Sequence, residues 1–357
     1  MSAHEILIGV MAVFAVLGAA DRILGNRFGL GKEFEEGILA MGSLALAMVG
    51  IVSLAPVLAA VLKPVVVPVY AFLGADPAMF AGTILASDMG GGALAMELTE
   101  NREAALLGGV LTGSMLGATI VFTIPVAMGI LREEDMPAMA KGILCGIVTI
   151  PVGVLTGGIA AGVPIAMVTR NVIPIVLIAA LIAFGLWRAE KAMVRGFQLF
   201  GKLVVIVVTV GLAAAVVEAL TGFALIPGMA PISEGFATVG TIAIVLAGAF
   251  PLVFVLTKLL QKPLMATGKL LGINDAAAAG LIASLANSIA TFGMVKDMNP
   301  RGKVVNIAFA VSAAFVFGDH LGFTAGFAPE MLAAVIIGKL AGGISAVAVA
   351  LWLTKKD

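Results

Sequence analysis

The chain has 357 residues, of which 61% are hydrophobic and 12% are charged, with a formal net charge of zero. A soluble domain carries about a quarter charged residues, so a soluble form of this chain would expose large apolar patches that a lipid environment removes. A neutral chain offers no basic surface for nucleic acid; one cysteine, Cys145, and two histidines, His4 and His320, leave no basis for an internal disulfide, a multi-ligand metal site or any cofactor.

A helix needs about 20 apolar residues to cross about 30 Å of hydrocarbon. Nine stretches meet that length, approximately 4–24, 37–62, 104–131, 138–162, 171–187, 202–220, 235–257, 304–325 and 331–353. The first lacks a basic n-region and reads as a retained span rather than a signal peptide. Asp21 and Arg22 at its end read as an interfacial ion pair worth little. Glu36 and Glu234 fall in the first turns of two spans, where negative charge offsets the helix dipole. The stretch 189–201 reads as an interfacial helix with Lys191 and Arg195 on its polar side.

Two further apolar stretches, 64–98 and 263–296, behave differently. Each opens with Lys-Pro (Lys63-Pro64 and Lys262-Pro263) and predicts a short helix followed by a break. In the first, Asp88-Met89-Gly90-Gly91-Gly92 is costly in a regular helix, because glycine loses the most backbone entropy there. Non-helical backbone at membrane depth persists only where protein or a watery cavity surrounds it, so both stretches read as re-entrant hairpins.

The two stretches also match each other. Glu36-Gly37 recurs as Glu234-Gly235, Gly50 as Gly248, Leu73-Gly74 as Leu271-Gly272, and Gly82 as Gly280, always 198 residues apart. The expected organisation is therefore a first repeat at 1–165 with its hairpin at 64–98, a linking span and cytoplasmic segment at 166–197, and a second repeat at 198–357 with its hairpin at 263–296. Basic residues cluster at Arg22, Arg27 and Lys32; at Arg188, Lys191 and Arg195; at Lys258, Lys262 and Lys269; at Lys296, Arg301 and Lys303; and at Lys355-Lys356. All of these fall on the cytoplasmic side only if the two stretches are hairpins rather than full crossings. The fold class is then an all-α polytopic membrane protein of two inverted repeats, with about nine transmembrane helices plus two re-entrant hairpins and the N-terminus outside. Inverted repeats with broken helices are a recurrent architecture of secondary transporters.

The segments FEEGILAMGSLALAMVGIVSLAPVLA (34–59), MFAGTILASDMGG (79–91), TIVFTIPVAMGI (119–130), GLAAAVVEALTGFALIPG (211–228) and RGKVVNIAFAVSAAFVFGDHLGF (301–323) together resemble the ethanolamine-utilisation permease family, EutH, over nearly the whole chain. The resemblance implies inward transport of ethanolamine across the cytoplasmic (inner) membrane and no enzyme activity in this chain. Its expected partners are ethanolamine and the lipid bilayer, with assembly into a homo-oligomer left open.

Ethanolamine is mostly a monocation near neutral pH, and a site for it needs a carboxylate or several acceptors plus a polar partner for the hydroxyl. Asp88 is the first choice, since an intramembrane carboxylate costs about 2.5–3.5 kcal/mol and calls for a partner or a purpose; the structural alternative is a helix cap. Ser87 precedes it, and Gly90, Gly91 and Gly92 would let a small ligand reach the backbone. Asn287 and Ser288, at the second break, would meet Asp88 if the hairpin tips meet, and both can donate and accept. The alternative for Asn287 is a bond to backbone across the break. Asp319 and His320 lie well inside a span. Helix neighbours point about 100° apart, so both can face one cavity only if the helix unwinds there. Their alternative is a buried polar network. Competing functions are transport of another small amine or a carboxylate, or a membrane enzyme acting on a lipid headgroup. The acidic tip and the lack of arginine near it argue against an anion carrier, and Asp319-His320 alone is thin for catalysis.

Overall fold

The computed structural model describes residues 3–355, with side chains at all of these except 3, 260–262, 264, 266, 267 and 269. Of the basic residues above, the side chains of Lys262 and Lys269, and Lys356 altogether, lie outside the described residues. The described chain is helical, with no strand. In order it comprises α1 (Ala3–Ile23), α2 (Leu30–Phe72), α3 (Ala78–Ile84) and α4 (Gly91–Leu98). Then follow α5 (Arg102–Ile130), α6 (Glu133–Ala160, with a turn at Val148 and Thr149) and α7 (Ile165–Thr221). The rest are α8 (Ile232–Leu271), α9 (Asp275–Ala286), α10 (Ser288–Met294), α11 (Pro300–Ala313), α12 (Asp319–Phe327) and α13 (Pro329–Leu353). Seven of the described helices are long and apolar enough to cross a membrane.

Several elements differ from the sequence reading. The segments after Lys63-Pro64 and Lys262-Pro263 are not separate short helices: α2 runs on through Pro64 and Pro68 to Phe72, and α8 through Pro263 to Leu271. Helices tolerate such prolines where neighbours or adjusted backbone satisfy the freed carbonyls. The hairpins are therefore shorter, α3–α4 and α9–α10. The stretch 189–201 is no independent interfacial helix; it continues α7 beyond a kink at Ala189, whose φ of −145° and ψ of 49° are non-helical. The predicted span 304–325 is broken between Ala313 and Asp319 into α11 and α12. Asp21 and Arg22 do not pair with each other: Asp21 accepts the backbone N–H groups of Phe28 and Gly31, at 3.0 and 2.9 Å, and Arg22 pairs with Glu35 at 3.2 Å. Asp21 thereby fixes the turn into α2.

Local geometry recurs at the spacing of 198. Gly74 and Gly272 both close a long helix at positive φ, 69° and 70°. Asn101 and Asn299 cap the starts of α5 and α11, accepting from Ala104 and Gly302. The contacts recur as well. A Cβ on Gly37 of α2 would lie 2.5 Å from the nitrogen of Ala247 in α8, and one on Gly235 of α8 would lie 3.0 Å from Cα of Val49 in α2. Since 37 and 235, and 49 and 247, are spaced alike, each helix offers the other the same surface, as in a two-fold interface. Likewise Gly82 of α3 packs on Gly108 of α5, and Gly280 of α9 on Asn306 of α11. Small residues let these backbones approach.

Candidate functional site

Two interruptions of helix meet at the site. In the first hairpin α3 ends at Ile84, Leu85 and Ala86 are extended, and Ser87–Met89 form one tight turn before Gly90. Gly90 has φ 96°, a left-handed conformation that glycine adopts without strain, and it caps α4 with no side-chain hydrogen bond. Asp88 is thus not the cap of α4. The second interruption follows α11. Phe315 sits at φ 61°, a strained value for a bulky residue. Its N–H donates to the Ser284 carbonyl at 3.0 Å, and that of Phe317 to Leu285 at 2.8 Å, so the unwound segment is pinned to the end of α9. Gly318 lies against the Ala286 carbonyl, where a Cβ would not fit. Helix resumes at Asp319.

This break answers the geometric difficulty posed by adjacent Asp319 and His320. Standing in the first turn of α12, both line one small cavity with Asp88. Phe122 and Phe315 form an aromatic wall, their ring centroids 5.4 Å apart and nearly perpendicular, and Ala86, Met89 and Ala118 complete the lining. His320 Nε2 is 3.7 Å from Asp88 Oδ1, within ion-pair range but beyond a good hydrogen bond. The imidazole also packs on Phe315, centroids 5.3 Å apart, and its Nδ1 is buried without a hydrogen-bond partner among the described residues.

The hairpin tips do not bring every predicted residue together. Asn287 lines a different, open cleft with Glu33, Glu36, Lys258 and Gly318, of which Asp319 is also a lining residue. Its side chain accepts the Ile289 N–H at 2.8 Å, so it caps α10. Ser288 lines neither space, and like Ser87 it is buried with its Oγ unpartnered among the described residues. The three glycines face protein. Gly90 is pressed on Ile51, Gly91 on the Leu85 and Ala86 carbonyls at 2.8 Å from a would-be Cβ, and Gly92 on the Phe323 ring at 2.8 Å. Glycine is needed there for packing.

The sequence reading passed over Phe122, Phe315 and Lys339. Lys339 of α13 is only 1% exposed and donates from Nζ to the Ser114 carbonyl at 2.6 Å. Its signal was visible: a lone lysine seven residues beyond Leu332 in an apolar span, with thirteen residues still to follow before Leu353. Among the described residues no group of His, Cys, Asp and Glu could hold a metal ion.

A family profile described as "Ethanolamine utilisation protein, EutH" matches residues 3–353. The chain is 60% identical over 356 residues to the "Probable ethanolamine permease EutH" of Listeria monocytogenes, covering all of this chain and 95% of that one. It is 55% identical to "Uncharacterized protein YxeR" of Bacillus subtilis, covering 99% of this chain and 96% of that one. It is 48% identical to the "Probable ethanolamine permease EutH" of Salmonella typhimurium, covering all of this chain and 97% of that one. No solved structure matches the chain. On the match to the profile from end to end and on these identities, the chain belongs to the EutH family of ethanolamine utilisation proteins.

Proposed function

We propose that the chain is a multi-pass transporter of the cytoplasmic membrane that takes up ethanolamine, as a cation, by secondary or facilitated transport. The observation that carries this reading is the small cavity lined together by Asp88, Asp319 and His320. An ammonium there gains charge-assisted hydrogen bonds in a setting of low dielectric, and His320 can serve the hydroxyl. The names of the Listeria and Salmonella relatives point to the same solute. Calorimetric titration of the purified protein tests the reading: saturable binding of ethanolamine is expected, and binding no tighter than that of ethanol would refute it.

We further propose that the halves are inverted repeats. The reciprocal contacts of α2 and α8 support a two-fold relation, and the distribution of basic residues supports inversion. Counting α7 as two spans across its kink, and α11–α12 as one broken span, gives nine crossings. A reporter fused after residue 99 is then expected outside and one after residue 298 inside. Both reporters on one side would rule the inversion out.

A further inference from the structure

We propose that Lys339 is the built-in counter-ion of the acidic cavity and sets the solute charge that the site accepts at plus one. The inference rests on the transport reading above and names the group that selects among cations. Lys339 does not line the cavity itself but is tied to α5, which does. Its ammonium is held by the Ser114 carbonyl at 2.6 Å. Ser114 lies in the stretch Leu106–Gly117 of α5, wound as a π-helix, and Ala118, four residues on, lines the cavity. The neighbouring Gly113 is seated on the tip of the first hairpin, where a Cβ would come within 3.0 Å of the Ser87 nitrogen, next to Asp88. Through α5, Lys339 is thereby placed beside the turn that carries Asp88.

The charge count follows from these positions. Asp88 and Asp319 carry two formal negative charges and Lys339 one positive, leaving minus one. A monovalent ammonium brings the buried total to zero, whereas a dication would leave a net charge in the protein interior, where uncompensated charge is expensive. Glu33, Glu36 and Lys258 also come near Asp319, but they line an open cleft and are screened by solvent. Its described hydrogen bond goes to the backbone carbonyl of Ser114, and none ties Lys339 to a side chain.

1,2-Diaminoethane tests this cleanly, because it exchanges the hydroxyl of ethanolamine for a second ammonium at nearly constant size. In competition against radiolabelled ethanolamine at pH 6, with the parent protein, the diamine is expected to be at least tenfold weaker than unlabelled ethanolamine. In Lys339→Met, which leaves the site at minus two, the order should reverse, and in Lys339→Met/Asp319→Asn, which restores minus one, the preference for ethanolamine should return. Equal competition by the two amines in the parent overturns the proposal even if Lys339→Met fails to fold. A folded Lys339→Met that keeps the parent's order also overturns it. A parent that binds neither amine contradicts the ethanolamine reading instead.

Discussion

Asp88→Asn is expected to insert and fold like the parent and to lose at least tenfold in affinity for ethanolamine, about 1.4 kcal/mol. The substitution keeps shape and hydrogen-bonding reach and removes only the charge. Folding should survive because the carboxylate neither caps α4 nor makes a close bond to His320, whose Nε2 is 3.7 Å away. Removing a buried charge also lifts a desolvation cost. Binding should suffer because a charge-assisted hydrogen bond is roughly twice as strong as a neutral one, and burial accentuates the difference. Asn287→Ala should weaken binding less, since Asn287 caps α10 and faces the neighbouring cleft. Titration calorimetry at matched purity reads both. Parent-like affinity in Asp88→Asn would transfer the ammonium to Asp319.

The largest effect on the fold is expected from Gly82→Val. A Cβ at Gly82 would overlap the Gly108 carbonyl and lie 2.7 Å from the nitrogen of Gly113, both backbone atoms of α5. Neither can rotate away, so the first hairpin would have to lift off α5 and carry Asp88 with it. Overpacking typically costs about 1–3 kcal/mol, and more where backbone is the obstacle. Gly42→Val is the control, because nothing lies within 4 Å of a Cβ there. Size-exclusion profiles and thermal melts should show Gly82→Val aggregated or markedly destabilised and Gly42→Val close to the parent. Comparable stability of the two variants would mean that the hairpin is not packed on α5 as described.

Much of this was legible in the residues. Apolar length gave most spans, and the Asp-Met-Gly-Gly-Gly run marked the first break, because glycine at Gly90 answers a positive φ that other residues resist. The span 304–325 reads as continuous in the sequence, with unwinding only a condition for Asp319 and His320 to share a cavity; the helix is in fact broken between Ala313 and Asp319. The position of that break was not legible: it is pinned by hydrogen bonds from Phe315 to Ser284 and from Phe317 to Leu285, partners about thirty residues away. Prolines misled at Pro64 and Pro263, since a membrane helix can absorb a proline that would end a soluble one. The meeting of Asp88 with Asp319 and His320 is a tertiary fact that no local pattern encodes, and the spacing of 198 favoured Asn287 instead. Lys339 was legible and overlooked.

A cationic ethanolamine is expected to be carried through the cavity of Asp88, Asp319 and His320. Entrance counterflow in proteoliposomes measures it most directly, at a pH low enough that the neutral form contributes little leak across lipid. With unlabelled ethanolamine trapped inside, the parent should accumulate radiolabelled ethanolamine transiently above equilibrium, and Asp88→Asn at equal abundance should not. Label entering protein-containing and protein-free liposomes at the same rate, without an overshoot, would contradict the account.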